Sequence, residues 1–268
     1  MSREGISYRF THAVVRKPAR SVVSGLRAED RGSPDPSIFE AEHRRYVKAL
    51  QRAGLTVETL DAREEYPDSV FIEDAALCLP EGAVILKPGT PSRTGEAVQL
   101  APELARLNLE IHPQGSEGFI DGGDILVTDS AILVGLSSRT DRAGFEWLKS
   151  LLQSWDYQVV AVQTPQQVLH FKSDCCVLDD STILATSRLA GEACFSAYKV
   201  LTVPGGEEPA ANSIRVNGSL LIPDGFPATA EMLAREGYSI ETTPVTQASL
   251  LDGGLSCMSL RYSRSPAD

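Results

Sequence analysis

At 268 residues, with 42% hydrophobic and 23% charged side chains, the chain has the composition of an ordinary globular protein, which excludes a disordered or fibrous one. No stretch approaches the ~18 consecutive apolar residues of a membrane span, and the opening residues hold no apolar signal core, so a cytoplasmic protein is expected. A net charge of -11 argues against DNA and phosphate-rich surfaces, whose affinity comes from Lys and Arg, and suits a cationic ligand.

The first apolar strand in chain order is THAVVRK (11–17), which has no preceding hairpin partner. Ser37 and Glu40 form a capping box ahead of a helix whose Phe39, Tyr46, Val47 and Leu50 share a face, and the strand TVETLD (56–61) follows. EDAALCL opens on Asp74 and turns at Pro80-Glu81-Gly82 into AVILK; a helix over 95–107 and the strand LEIHPQ come next. GGDILVT turns at Asp129-Ser130 into AILVG, Asp141 caps a helix bearing Phe145, Leu148, Leu152 and Trp155, and YQVVAV ends the unit. KSDCCVL turns at Asp179-Asp180 into STILA, followed by a short helix near EACFSAYK. AANSIRV turns at Asn217-Gly218 into SLLIP, with a helix over 228–236 and the strand YSIETT. The last strand, in LSCMSLRY, has no following partner.

One unit therefore recurs: hairpin, helix, strand. Its opening residue is Asp74, Asp124, Asp174, Asn212 and finally Cys257, at steps of 50, 50, 38 and 45 residues. If the unpaired first and last strands join, five αβ blades close into a ring with no open sheet edge. The repeat then gathers Glu73, Asp74, Asp121, Asp124, His170, Asp174, Asn212 and Cys257 around one central cavity, with Asp124 expected in a structural role.

Five cysteines form an odd set without metal-ligand spacing, so neither a disulfide framework nor a zinc site is expected. Cys78, Cys175, Cys176 and Cys194 read as packing residues. Cys257 differs, because it opens a repeat directly after a Gly-Gly step. A free thiol has a pKa near 8.5 and needs a partner to act as a nucleophile. His170 is the histidine in phase with the repeat. Carboxylates in a concave site are costly to bury without a cation, and a guanidinium supplies one. A thiol, an imidazole and carboxylates together fit attack on a guanidinium carbon, protonation of the departing amine and hydrolysis of an S-alkylthiouronium. That chemistry needs no metal or other cofactor.

The motifs FIEDAALC, KPGTPSR, IDGGDILV, VGLSSRT, LHFKSD, LTVP, AAN and LDGGLSCMS occur in the order found in dimethylarginine dimethylaminohydrolases, which this chain closely resembles over nearly its whole length. The resemblance implies the five-bladed α/β propeller of the guanidino-modifying, or pentein, superfamily, formed here by residues 1–268 as a single catalytic domain. It implies Cys257 as nucleophile, His170 as general acid and base, and Asp121 as the carboxylate that orients it. It further implies Glu73 and Asp74 on the guanidinium, Asp68 on the substrate, and Arg93 and Arg139 on the α-carboxylate. Asp252 falls near the α-amine, with Gly253 and Gly254 letting the backbone approach it, and Leu26 matches a lid residue.

The related arginine deiminases carry an Asp two residues after the catalytic His, where this chain has Lys172; the missing carboxylate leaves room for N-methyl groups. Hydrolysis of Nω-methylated arginine to citrulline and a methylamine is the expected activity. The alternatives are deimination of another guanidino compound and a non-catalytic amino-acid binder. The expected partner is this small molecule, with neither nucleic acid nor membrane, and a homodimer is compatible with it. In a carboxylate-lined pocket the resting thiol should be neutral.

Overall fold

In the computed structural model, which describes residues 3–264, the strands and helices alternate as the repeat requires. The first blade holds β1 (His12–Arg16), α1 (Pro36–Arg52) and β2 (Thr56–Leu60); the second holds β3 (Ala76–Leu79), β4 (Gly82–Ile85), α2 (Glu96–Arg106) and β5 (Ile111–His112). The third holds β6 (Ile125–Val127), β7 (Ile132–Leu136), α3 (Arg142–Gln153) and β8 (Val159–Gln163). The fourth holds β9 (Cys175–Val177), β10 (Thr182–Ala185) and β11 (Lys199–Thr202), and the fifth β12 (Ile214–Val216), β13 (Ser219–Pro223), α4 (Pro227–Arg235) and β14 (Ser239–Thr243). The last strand, β15 (Leu260–Tyr262), returns to the first blade.

Each blade is a three-stranded sheet, in the orders β15-β1-β2, β3-β4-β5, β6-β7-β8, β9-β10-β11 and β12-β13-β14. The inner strand runs antiparallel to the middle one, and the middle strand runs parallel to the outer one. A parallel pair needs a crossover, which α1, α2, α3 and α4 provide. The ring closes as expected: β1 pairs β15 with His12 opposite Tyr262 and Val14 opposite Leu260.

Two hundred and more residues separate those partners, yet the pairing leaves edges that the closed-ring expectation denied. The five sheets are separate, and each keeps an inner and an outer edge. Side chains join the blades instead. On β1, Val14 packs in one core with Leu260, Ala76, Ile85 and Leu100, while its neighbours Ala13 and Val15 pack in another with Ile214, Leu221 and Tyr46. On β7, Leu133 and its neighbours Ile132 and Val134 divide between two cores in the same way. A strand buried on both faces reads as a continuous apolar run, which is why AVILK and AILVG do. Outer strands carry the polar residues that an exposed edge needs, such as Thr56, Glu58, Lys199 and Ser239.

Three local expectations change. The N-cap of α1 is Asp35, whose Oδ1 accepts the N–H groups of Ser37 at 2.8 Å and Ile38 at 3.0 Å, with Pro36 in the first helical position. Glu40 pairs instead with Arg44, one turn on, so there is no Ser37–Glu40 capping box. The strand in LEIHPQ shrinks to two residues. In the fourth blade the short helix is a single 3-10 turn, Ala193–Phe195, anchored by Phe195 stacked on Phe171 at 5.8 Å between centroids. Asp141 does cap α3, accepting from the Gly144 N–H at 2.8 Å.

Candidate active site

Every inner strand is entered through one turn of 3-10 helix: Ile72–Ala75, Gly122–Asp124, Phe171–Ser173, Glu208–Ala211 and Ser256–Met258. These turns carry or adjoin the opening residues of the repeat; four of the five neighbouring pairs lie close together, and Asn212, just after Glu208–Ala211, reaches the fifth through the Ser256 N–H. The approach is close. A Cβ on Gly122 would lie 1.9 Å from the Glu73 carbonyl oxygen, so the DGGD motif needs glycine there for backbone to meet backbone.

A cavity of about 130 Å³ opens over this ring, and Cys257, His170, Asp74, Asp68, Arg93, Arg139, Asp252 and Leu26 all line it. Phe71, Leu169 and Leu251 add apolar wall, and Arg27 and Ala28 come from the segment that covers it. Five of the residues that the repeat was expected to gather lie outside the lining of this cavity: Glu73, Asp121, Asp124, Asp174 and Asn212. Asp121 is fully buried behind His170, whose Nε2 is 3.1 Å from its Oδ2. Glu73 faces a second cavity along the propeller axis, with Lys172 and Arg261.

His170 and Cys257 carry opposite electrostatic histories. Burial alone would lower the His170 pKa, but the nearby Asp74 charge and the bond to Asp121 reverse this and push it up to about 9. Asp121 is itself fixed, because its Oδ1 accepts the Gly89 N–H at 2.7 Å. The Cys257 thiol is pushed up to about 11 by burial and then by the carboxylates of Glu73 and Asp74; the Gly254 N–H, 3.5 Å from Sγ, and the Lys172 charge oppose them. At neutral pH the pair is therefore imidazolium and neutral thiol. Burial would raise the pKa of Asp74, yet His170 and Arg93 outweigh it and hold the carboxylate below its ordinary value. Asp68, where burial prevails, is raised.

The two arginines differ in what they can still bind. Arg93 is buried and committed: Nε and Nη2 meet Glu96 at 2.8 and 2.7 Å, Nη1 meets Asp74 at 2.6 Å, and Nη2 also meets the Phe71 carbonyl. Arg139 is partly exposed, and its guanidinium donates from Nη1 to Thr90 Oγ1. The acids of the pocket rim hold the covering segment. Asp68 Oδ1 accepts the Leu26 N–H at 2.9 Å, and Asp252 accepts the Ala28 N–H and pairs with Arg31, both at 2.6 Å.

Glu96 and Arg261 were not picked out as site residues, although Glu96 stands three residues after Arg93 in PSRTGE; Asn212 was expected in the ring as a repeat opening, without a role of its own. Asn212 accepts the Ser256 N–H at 2.9 Å and places Nδ2 3.8 Å from the Cys257 sulfur. The Gly-Gly step, of which Gly253 lines the pocket, also has a steric reason within the protein. A Cβ on Gly253 would strike the Phe71 ring at 2.3 Å, and one on Gly254 the Asn212 amide at 2.4 Å. These glycines make room for protein side chains beside the thiol.

Asp74, Asp121 and His170 bring donor atoms within 4.8 Å of one another, close enough for a metal. Both oxygens of each Asp already accept hydrogen bonds, from Arg93 and the Gly123 N–H for Asp74 and from His170 and the Gly89 N–H for Asp121. The cluster is satisfied internally and reads as a proton-holding network.

A family model described as N,N dimethylarginine dimethylhydrolase, eukaryotic, matches residues 37–185. The N(G),N(G)-dimethylarginine dimethylaminohydrolase of Pseudomonas aeruginosa is 33% identical over 254 residues, covering 94% of this chain and 100% of that protein. A structure of the Pseudomonas aeruginosa enzyme, a cysteine-to-serine mutant complexed with citrulline, aligns with a TM-score of 0.91 at 32% identity, over 95% of this chain and 100% of its own. A dimethylarginine dimethylaminohydrolase histidine-to-glycine variant, solved as an adduct with S-methyl-L-thiocitrulline, gives the same TM-score and identity over 94% of this chain and 100% of its own. On the family model and on an identity that runs the length of both proteins, the chain belongs to the dimethylarginine dimethylaminohydrolase family.

Proposed function

We propose that the pocket hydrolyses Nω-methylated L-arginine to L-citrulline and dimethylamine or methylamine, with Cys257 as nucleophile, His170 as proton carrier and Asp121 as the group that orients it. The observation that carries this reading is the gathering of Cys257, His170 and Asp74 in the lining of one pocket, with the thiol neutral and the imidazole protonated. The substrate would be held at both ends, the guanidinium by Asp74 and the α-carboxylate by Arg139, which is less committed than Arg93. Asp252, taken for the amino end, and Asp68 line the same pocket and are tied to the covering segment through Ala28 and Leu26.

A guanidinium cation entering beside Cys257 offsets the carboxylates that raise its pKa, so the thiol releases its proton to solvent when substrate is present, His170 being already protonated. The thiolate attacks the central carbon, and the His170 imidazolium gives its proton to the departing methylamine as the carbon–nitrogen bond breaks. This leaves a thiouronium on sulfur and a neutral imidazole. His170 then takes a proton from water as its oxygen bonds to carbon, and rupture of the carbon–sulfur bond yields citrulline and the free thiol.

Two residues after His170 stands no carboxylate but Lys172, whose ammonium turns to Glu73 at 2.6 Å in the axial cavity, so that position offers no acceptor to a second guanidinium nitrogen, which fits a methylated one. We further take residues 1–268 as one catalytic domain, because the first and last strands close the same blade. A cytoplasmic location fits five free cysteines and the absence, among the described residues, of any helix long and apolar enough to cross a membrane.

The test compares dimethylamine with ammonia released from arginine and from its methylated forms, and looks by mass spectrometry for a substrate adduct on Cys257. Methylated substrates are expected to dominate. Preference for arginine would remove the methyl-group argument, and the absence of any adduct would remove the nucleophile.

A further inference from the structure

Glu73 and Asp74 are neighbours in one 3-10 turn but face different spaces, and so are Ser256 and Cys257 in another. Asp74 and Cys257 line the substrate pocket, whereas Glu73 and Ser256 line the axial cavity with Lys172 and Arg261. Oε1 of Glu73 accepts from Lys172 Nζ at 2.6 Å and from Arg261 Nη2 at 3.0 Å. Its Oε2 is buried and has no hydrogen-bond partner among the described residues. Two cations thus converge on one oxygen of a carboxylate that is only 5% exposed. Burying such a charge requires a partner, and Lys172 already is one.

The second cation reaches further. Arg261 lies on β15, four residues after Cys257, and the other arm of its guanidinium grips the turn that carries the thiol. Nη1 donates to the carbonyls of Ser256 at 3.2 Å and Ser259 at 3.3 Å and to Ser259 Oγ at 2.7 Å. Ser259 Oγ shares a hydrogen bond of 2.6 Å with the Tyr46 hydroxyl, which lies 2.9 Å from the Leu255 carbonyl. Carbonyls on both sides of the nucleophile are therefore held from one buried cluster, and the cluster's charge meets Glu73.

We propose that Arg261 is a positioning residue for the reaction: with one planar guanidinium it neutralises Glu73 and pins the Ser256 carbonyl, so setting both the charge around the Cys257 sulfur and the register of its turn. This rests on Cys257 being the nucleophile. The charges that act on that sulfur are the carboxylates of Glu73 and Asp74 against the ammonium of Lys172, with the His170 imidazolium in the same pocket. Arg261 works through Glu73 and lies outside the pocket. A lysine in its place would supply the charge without the fork, which spans two partners at once.

The experiment measures the pH dependence of iodoacetamide alkylation at Cys257, located by mass spectrometry, together with kcat and KM, in the wild type, R261M and R261K. In R261M the Glu73 charge, left with Lys172 alone, lowers the thiolate fraction at neutral pH about tenfold, and kcat falls at least as much while KM changes less. R261K restores the alkylation rate and recovers kcat only in part, because the Ser256 carbonyl stays loose. A purely structural role predicts the opposite sign: a loosened turn exposes the thiol, which relaxes toward its ordinary pKa and alkylates faster. Faster alkylation in R261M, or wild-type kcat in either variant, overturns the proposal. If R261M does not fold, R261K decides alone on kcat. A wild-type enzyme that alkylates normally but forms no substrate adduct would sink the nucleophile assignment instead, and the alkylation series would still report the charge effect.

Discussion

Asp74, Asp124 and Asp174 hold the same place in three successive repeats, yet one faces the substrate pocket and the other two are tied into the scaffold. Asp124 accepts from the hydroxyls of Ser137 and Thr140, both at 2.7 Å, and from the Phe171 N–H at 2.9 Å. Asp174 accepts from the Thr186 hydroxyl at 2.6 Å and takes both arms of Arg188 at 2.6 and 2.9 Å. Asp74 has no hydroxyl partner among the described residues. It takes Arg93 and the Gly123 N–H, and it shares the pocket wall with His170. In each blade the decisive partner comes from the segment after the middle strand: Ser137 and Thr140, Thr186 and Arg188, or Arg93. A hydroxyl there makes the acid a structural joint, and a buried arginine in its place leaves the acid a charge that a guanidinium can meet.

The strongest way to break this comparison is to neutralise the equivalent acids separately. Asp74→Asn keeps shape and loses charge, so kcat/KM for methylated arginine should fall about a hundredfold or more, while the loss of stability is limited because Glu96 still pairs Arg93. Asp124→Ala strands two hydroxyls and an N–H and should cost about 3 kcal/mol of stability, with most of the activity per folded molecule retained. Thermal melts and citrulline assays on both variants decide the matter. Equal losses of activity at matched stability would show that the two acids do not differ in kind.

A smaller effect separates the proton-holding half of the site from the scaffold by pH. The folded-state pKa of His170 lies near 9, above its ordinary value of 6.5, so its protonation stabilises the fold. That contribution is complete below the unfolded pKa and is lost as pH rises through 9. His170→Ala should therefore lower the melting temperature most in mildly acidic buffer, and the gap to the wild type should close between about pH 6.5 and 9. A gap that widens with pH would mean that His170 is neutral in the fold.

The ring itself was legible because it depends on local patterns. Opening residues at regular steps, apolar runs and turn pairs mark each blade, and two strands without partners imply each other. The candidate thiol and histidine follow from their phase in that repeat. The facing of individual carboxylates was not legible, since a 3-10 turn sends Glu73 to the axial cavity and Asp74 to the pocket, although the two are adjacent. Long-range partners were equally hidden: Glu73 meets Arg261 across 188 residues, and Asp252 meets Arg31 across 221. The cap of α1 is written in the sequence twice, as Asp35-Pro36 and as Ser37–Glu40, and the structure uses the first.

The comparison can be sharpened most finely at the cations. Arg93 is almost fully buried between two carboxylates, whereas the Arg188 side chain is 41% exposed beside Asp174. In Arg188→Met, Thr186 still holds Asp174 Oδ2, and water can reach Oδ1 from the side the arginine leaves. An ion pair with one exposed partner contributes about 1 kcal/mol or less, so the melting temperature should drop by only a few degrees. Neither kcat nor KM should change, because Arg188 does not line the pocket. A loss of activity in this variant would mean that the fourth blade shapes the site after all, and that Asp174 belongs with Asp74 rather than with Asp124.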